Sequence, residues 1–246
     1  MNNRLIRLFV SLLAAVAVMV ALVAATPEQD PPRILVMFGG VLPGGIIQGF
    51  TYFLFFFGMS EVFSTSKRLS YENDAFSARL LPEEDNWLLS AEDVNQLKLN
   101  MQKLERSQKF FLTDLIKKAC TKYRLSKSSG EVLGLVEAQI GIYKAKVDSE
   151  QSFMRYTAWA IPSVGFIGTV LGIAGALGYA DQAGSTEGLK LVTDMLGVAF
   201  DTTLVALFLS IILVFSMHFI EKKEEDLFSE MSSYMNENLI NRFYKE

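Results

Sequence analysis

Four long apolar blocks constrain the fold of this chain more than any other feature of its sequence. The blocks cover residues 8–27, 34–60, 156–180 and 191–220. The only Asp, Glu, Lys or Arg side chains inside them are Asp194 and Asp201, both in the fourth block. Each block is long enough to cross the ~30 Å hydrocarbon core of a bilayer, which takes roughly 20 apolar residues in a helix. The sequence therefore predicts an all-α membrane protein with four transmembrane helices.

Composition excludes several classes of function. The chain has one His and one Cys, His218 and Cys120, which is too few for a zinc cluster or a Cys/His nucleophile pair. A net charge of -4 argues against nucleic-acid binding, which needs clustered basic residues. No nucleophile, base and orienting group lie at compatible positions. We therefore expect no enzyme and no resident metal or cofactor.

The first apolar block allows two interpretations. Arg4 and Arg7 precede it and small residues end it, as in a secretory signal peptide. Its apolar run exceeds the roughly 7–15 residues of a signal core, and a second block follows within a few residues. These two facts favour a membrane span, and removal of residues 1–25 stays an alternative.

The distribution of lysine and arginine predicts how the spans are oriented. Fifteen of these residues lie in 61–155, whereas the connections 26–33 and 181–193 hold one each, Arg33 and Lys190. Basic residues concentrate on the cytoplasmic side of a membrane. The middle region and both chain ends are therefore predicted to be cytoplasmic, and the two short connections external.

Four regions follow from this pattern. They are transmembrane helices 1 and 2 in 1–60, a cytoplasmic helical domain between spans 2 and 3 in 61–155, transmembrane helices 3 and 4 in 156–220, and a cytoplasmic C-terminal helix in 221–246. In the middle region, apolar residues at helical spacing predict one helix that starts at the N-cap Ser90 and ends near 126–130. A second helix should start there and run unbroken into the third span.

Small residues recur on one face of each of the last two spans. In the third span they are Gly165, Gly168, Gly172 and Gly175, with Pro162 and Thr169 near the same face. In the fourth span they are Ala199, Thr203, Ala206 and Ser210. Such faces let two helix backbones approach closely, and ordinary helix packing is a sufficient explanation for either face alone. Counted inward at ~1.5 Å per residue, Thr169 and Thr203 lie at one level, roughly 16–18 Å from the external surface.

These residues carry a resemblance to a known family. Residues 160–173, AIPSVGFIGTVLGI, resemble the penultimate membrane helix of the MotA/TolQ/ExbB proton-channel family, in which a proline and a GxxGTxxG core recur. Residues 196–207, LGVAFDTTLVAL, resemble that family's last helix, with its threonine at Thr203. The match is specific from about residue 136 to 215 and only topological before that.

The resemblance implies a stator subunit of the bacterial inner membrane that couples proton or sodium flow to rotation or mechanical work. It further implies a homopentamer around a dimer of a single-span partner similar to MotB, ExbD or TolR, whose membrane Asp accepts the proton. Thr169 and Thr203 would solvate that Asp, because hydroxyls exchange hydrogen bonds without titrating near neutral pH, and the adjacent Thr202 is a further ion-pathway candidate. The remaining small residues would pack helices or line the pore, namely Pro162, Gly165, Gly168, Gly172, Ala199, Ala206 and Ser210.

Asp201 departs from the family's usual pattern. An ionised Asp inside a span costs on the order of 2.5–3.5 kcal/mol, so we include Asp201 among the ion-pathway candidates. It lies ~160° around the helix from Thr203, which also fits a carboxylate capped by nearby hydroxyls or backbone and used in packing between subunits. Two other functions stay open, a passive membrane scaffold and a stand-alone proton channel that uses Asp201.

The branch of the family is also open. Four spans with a cytoplasmic region between the second and third resemble the flagellar stator MotA, but the last span lacks the proline typical of MotA. The last two spans are equally similar to TolQ, to ExbB and to motor subunits of anti-phage defence systems.

Overall fold

The computed structural model describes residues 2–27, 29–41, 44–83 and 88–243. Helices are the only regular secondary structure in these ranges, apart from one isolated backbone bridge between Leu89 and Phe243. The α-helices are α1 Asn2–Ala25, α2 Arg33–Met37, α3 Gly44–Ser77, α4 Ala91–Leu104, α5 Phe111–Ser126, α6 Ser129–Gly178 and α7 Thr186–Asn238. Four of them, α1, α3, α6 and α7, are long and apolar enough to cross a membrane. The predicted all-α membrane fold with four spans is confirmed.

The chain forms two compact units. The first consists of Met1–Ser64 and Ser152–His218, and the second of Thr65–Gln151 and Phe219–Glu246. Helices α3, α6 and α7 each contribute one part to either unit. The predicted continuity of α6 from the middle region into the third span is confirmed, since the helix has no break between Ser129 and Gly178.

The core of the first unit joins three of the spans. Ala15 on α1, Tyr52 on α3 and Val205 on α7 are buried together. The Tyr52 hydroxyl donates a hydrogen bond of 2.8 Å to the backbone carbonyl of Phe38. The polar end of the phenol is thus satisfied inside an otherwise apolar cluster.

An ion-pair cluster ties the start of α1 to α3. Arg7 donates from Nη2 to the Glu61 carboxylate at 2.9 Å, and Arg4 donates from Nε to the same oxygen at 3.3 Å. Glu61 is only 4% exposed, and a buried carboxylate is tolerated when its charge is compensated. The two arginines before the first apolar block therefore act as partners of this carboxylate.

The second apolar block is not one helix, which corrects the expectation of a span over 34–60. Helix α2 ends at Met37, the backbone turns through Gly39 at a φ of 100°, and α3 begins at Gly44. Glycine adopts this backbone conformation without steric cost. A Cβ atom at Gly45 would also lie 2.5 Å from the Gly39 carbonyl oxygen. The glycine-rich stretch therefore separates a short helix from the spanning helix α3.

In the second unit, the predicted start of the first helix is confirmed and its predicted end is wrong. Helix α4 starts as predicted, because Ser90 forms a capping box in which its hydroxyl accepts from the Asp93 N–H at 3.3 Å. A single helix to residue 126 is wrong, because α4 ends at Leu104 and α5 begins at Phe111. At the start of α5 the Phe111 N–H donates to the Glu72 carboxylate of α3 at 2.7 Å. This contact from a distant element satisfies a backbone donor that a continuous helix would have used itself.

The second unit has a dense apolar core around α5. Its fully buried side chains include Leu112, Leu115, Ile116, Cys120, Val136, Met235 and Leu239. Burial raises the pKa of the Cys120 thiol to about 12. Since the thiolate is the reactive form, the chain's single cysteine is unreactive at neutral pH while this unit stays folded.

Candidate functional site

Helices α6 and α7 pack glycine against small side chains over three turns. A Cβ atom added at Gly165 would lie 2.5 Å from the Cβ of Ala206, and one at Gly172 would lie 2.7 Å from the backbone nitrogen of Ala199. A Cβ atom at Gly168 would overlap the side chain of Thr202. The predicted small faces therefore meet each other within one chain, and this glycine face is not open to another helix.

Pro162 lies inside α6 and changes the hydrogen bonding of the turn before it. Proline lacks an N–H, so the carbonyl four residues earlier, that of Ala158, loses its helical donor. The Ser210 hydroxyl of α7 lies 3.4 Å from this carbonyl oxygen and donates to it. Pro162 and Ser210, both singled out from the sequence, are thus coupled through one backbone group.

Thr169 and Thr203 meet in the crease between the two helices. The Thr169 hydroxyl donates to the Ala199 carbonyl of α7 at 3.1 Å, and the Thr203 hydroxyl donates to the Gly165 carbonyl of α6 at 3.0 Å. The two hydroxyl oxygens also lie within hydrogen-bonding distance of each other, and either hydroxyl can be the donor of that contact. The structure therefore places the two hydroxyls at one level and in direct contact.

The hydroxyl pair has fewer protons than contacts. Each hydroxyl carries one proton, so two protons serve three possible hydrogen bonds, and one contact always lacks a donor. Rotation of either hydroxyl exchanges which contact is filled, without any change in net charge. The oxygens also keep lone pairs that can accept a hydrogen bond from a third group.

The pair lies on the open side of the α6–α7 crease. Both threonines are half-buried, and the residues one turn before and after them on each helix are exposed apolar side chains. Those neighbours are Phe166, Ile173, Phe200 and Leu207. A polar point at mid-span is thereby surrounded by apolar surface.

Thr202 and Asp201 occupy a different side of α7 from Thr203. Thr202 is buried, and its hydroxyl donates back to the Val198 carbonyl of its own helix at 2.9 Å. Asp201 is also buried and forms a bidentate ion pair with Arg33, with nitrogen–oxygen distances of 2.6 and 2.7 Å. The structure thus brings Thr169 and Thr203 together and does not bring Asp201 to them.

The ion pair brings in a residue that the sequence did not mark as part of the site. Arg33 lies 168 residues from Asp201 along the chain. The sequence did contain a clue. A buried carboxylate such as Asp201 requires a compensating positive charge, and Arg33 is the one arginine in the short connection before the second block. The sequence did not single out Gln48 either, a buried residue of the second apolar block whose side-chain nitrogen donates to the Met37 carbonyl, because an amide has no charge to draw attention to it.

The second unit carries a separate cluster of charged groups on α5 and α6. Burial raises the pKa of Asp114, but hydrogen bonds from Lys118, Tyr143 and Lys117 outweigh it, and the pKa is lowered overall. Burial lowers the pKa of Lys117, but its bonds to Glu105 and Asp114 dominate and raise it. Both shifts favour the charged forms, so this cluster holds its charges at neutral pH and joins α5 to the turn after α4.

Within the described residues, no group of three or more His, Cys, Asp and Glu side chains is placed to hold a metal ion. The fold and the site together define a multi-pass helical membrane protein whose last two spans pack glycine against threonine. The model of the MotA/TolQ/ExbB proton channel family matches residues 103–233, more than half of the chain, and the chain belongs to this family. The resemblance at residues 160–173 and 196–207 is thereby confirmed. No curated protein matches the chain.

Proposed function

We propose that this chain is the stator subunit of an ion-driven motor in a bacterial inner membrane. Five copies surround a dimer of a single-span partner whose membrane helix carries an Asp. Proton or sodium flow along the contact between the pentamer and the partner dimer drives rotation or other mechanical work. Both chain ends and the second unit lie in the cytoplasm, as the excess of lysine and arginine there favours.

The observation that carries this proposal is the contact between Thr169 and Thr203 at mid-span. Two hydroxyls with two protons for three bonds can both donate to and accept from a passing carboxyl group or water. Neither hydroxyl titrates near neutral pH, so a carboxylate from another chain supplies the proton acceptor. The family to which the chain belongs is a class of ion channels and motor stators rather than of enzymes.

The surroundings of the pair also favour a partner helix. Phe166, Ile173, Phe200 and Leu207 leave an apolar surface on the open side of the crease. Lipid tails could cover this surface, but they offer no hydrogen-bond partner to two hydroxyls at this depth. A membrane helix with one polar side chain both covers the apolar surface and offers the hydroxyls a hydrogen-bond partner.

Assembly is tested by native mass spectrometry in mild detergent, after co-expression with a single-span protein encoded beside this one. We expect five copies of this chain with two of the partner. A monomer, or an even-numbered assembly that lacks the partner, contradicts the stator proposal.

Conduction is tested by the isosteric change Thr203→Val in the assembled complex. Hydrogen bonds to a charged group contribute about 1.5–3 kcal/mol, so loss of one from the rate-limiting state lowers ion flux roughly 10–100-fold. The readout is proton uptake into proteoliposomes under an imposed potential, with the subunit ratio checked in parallel. The matched control is Thr157→Val on α6, whose hydroxyl donates to the Phe153 carbonyl of its own helix at 2.9 Å.

The two other functions predict different results. A passive scaffold keeps its activity in cells when Thr203 is replaced by Val, because the substituted side chain still fills the crease. A stand-alone channel leaks protons when this chain is reconstituted without a partner, and Asp201→Asn stops that leak. Loss of flux in the assembled Thr203→Val complex, with no leak from the chain alone, supports the stator.

A further inference from the structure

A cavity of about 760 Å³ lies in the first unit beside the Arg33–Asp201 ion pair. Among the residues that the structure describes, the charged ones that line it are Asp30, Asp194, Asp201, Arg33 and Lys190. Charged groups are costly against lipid tails, so an acyl chain is a poor occupant. Three carboxylates against two cationic groups leave one net negative charge, which favours cations over anions in the cavity.

Gln48 gives an independent sign that something occupies this cavity. It lines the cavity and is only 1% exposed. Its side-chain nitrogen donates to the Met37 carbonyl, whereas its Oε1 atom is buried and has no hydrogen-bond partner in the described part of the chain. An unsatisfied buried acceptor costs about 1–3 kcal/mol. A water or a cation that reaches this oxygen from the cavity removes that cost, and the cavity volume is sufficient for several waters.

Arg33 covers the Asp201 carboxylate, which is the second group in the cavity, after Gln48, that offers oxygen atoms to a ligand. Its guanidinium occupies both oxygens of the Asp201 carboxylate, yet the Arg33 side chain is 64% exposed and that of Asp201 only 8%. A long exposed side chain can turn away about its own bonds, whereas the carboxylate is fixed on α7. When Arg33 turns away, Asp201 is left facing the same cavity as Gln48.

The cavity also borders the residues next to the hydroxyl pair. Thr202 is part of its lining, and the Thr202 side chain packs against Gly168, which precedes Thr169. One packed layer therefore separates the cavity from the crease where Thr169 and Thr203 meet.

We propose that this cavity is a water-filled vestibule that binds a hydrated monovalent cation at the Asp201 carboxylate and Gln48 Oε1. Arg33 is its removable cover. The inference rests on the ion-conducting function proposed above, and it adds a site that binds the ion before the ion reaches Thr169 and Thr203.

Cysteine substitution tests whether the cavity holds water. Gly197→Cys is the main variant, because a Cβ atom there would lie 3.8 Å from Arg33 Nη1, an ordinary contact. Val198→Cys, also in the cavity lining, serves if Gly197→Cys fails to fold. The control is Leu204→Cys on the same helix, whose side chain is 57% exposed on an apolar face. Buried Cys120 gives the background from the unsubstituted chain.

The readout is the labelling rate of the full chain in native membrane vesicles by cationic and anionic methanethiosulfonates, followed by mass spectrometry. We expect Cys at position 197 to react with both reagents, the cationic one about tenfold faster, and the Leu204→Cys control with neither. Replacement of choline chloride by sodium chloride at constant ionic strength should slow the cationic reagent. Equal rates for both charges with no effect of sodium, or no reaction beyond the control, overturn the proposal.

Variants of the ion pair test the roles of its two members in the Gly197→Cys background. Arg33→Gln should raise the rate with the cationic reagent about tenfold, because the cover and one positive charge are gone. Asp201→Asn should abolish the preference, so that the two reagents react at equal rates, because two carboxylates then face two cationic groups. Unchanged rates in both variants contradict the role given to the pair.

Labelling requires neither the partner nor ion flux, so this inference and the stator proposal fail separately. If sodium slows labelling of the cavity cysteine but the chain does not form the five-to-two complex, the cation site is supported and the stator proposal is not. A five-to-two complex that conducts, with an unreactive cavity, keeps the stator and removes the vestibule.

Discussion

At the scale of single residues, the contact between α6 and α7 depends on the absence of side-chain atoms. A Cβ atom at Gly172 would lie 2.7 Å from both the Ala199 nitrogen and the Met195 carbonyl oxygen, and backbone atoms cannot move aside as a side chain can. We expect Gly172→Ala to destabilise the protein by about 1–3 kcal/mol. The measurement is the fraction of protein that still elutes in the non-aggregated peak of a size-exclusion column after heating in detergent, followed as a function of temperature.

The same helix offers a matched control for this substitution. A Cβ atom at Gly141 would have nothing within 4 Å, and alanine is favoured over glycine inside helices by roughly 0.5–1 kcal/mol. Gly141→Ala should therefore leave the melting midpoint unchanged or raise it. If the two variants behave alike, the close approach at Gly172 is not limiting for stability.

At the scale of elements, helix α4 depends on its first turn. Ser90 and Asp93 form a capping box, in which the Ser90 N–H donates to the Asp93 carboxylate at 2.9 Å. Loss of such a cap costs about 1 kcal/mol. Helix α4 packs against α5, which carries Cys120, so local opening of α4 exposes the thiol. Because a loss of about 1 kcal/mol makes this opening about fivefold more frequent, Ser90→Ala should raise the maleimide labelling rate of Cys120 about fivefold. Ser107→Ala is the control, because its exposed hydroxyl only donates to the Leu104 carbonyl after the end of α4.

The elements also show which features a sequence can predict. Spans and the unbroken α6 were predictable, because apolar length and helical spacing are local properties. The break between α4 and α5 was not, because Phe110 and Phe111 continue the apolar pattern while the Phe111 N–H finds its acceptor on Glu72 of α3. A local pattern does not contain that contact.

The candidate site divides in the same way. The depth count brought Thr169 and Thr203 to one level because both helices rise by the same amount per residue. The partner of Asp201 is Arg33, 168 residues away, and helical periodicity says nothing about pairs that far apart. Side-chain contacts within one helix pair follow from spacing, whereas contacts between distant elements need the fold.

At the scale of the whole molecule, the charge distribution makes a prediction about orientation. Fifteen Lys and Arg residues lie between 61 and 155, against one in each short connection, and the positive-inside rule predicts from this that the second unit is cytoplasmic. Gly184→Cys lies in an exposed connection where a Cβ atom would contact nothing within 4 Å. Asn100→Cys lies on the exposed side of α4.

An impermeant maleimide should therefore label Gly184→Cys in intact spheroplasts and Asn100→Cys only in inverted membrane vesicles. The unsubstituted chain controls for Cys120, which stays unlabelled on either side because burial keeps its thiol protonated. Labelling of both variants from one side would place the two short connections and the second unit in the same compartment. Such a result removes one span from the membrane, and with it the equal depth of Thr169 and Thr203 from which conduction was inferred.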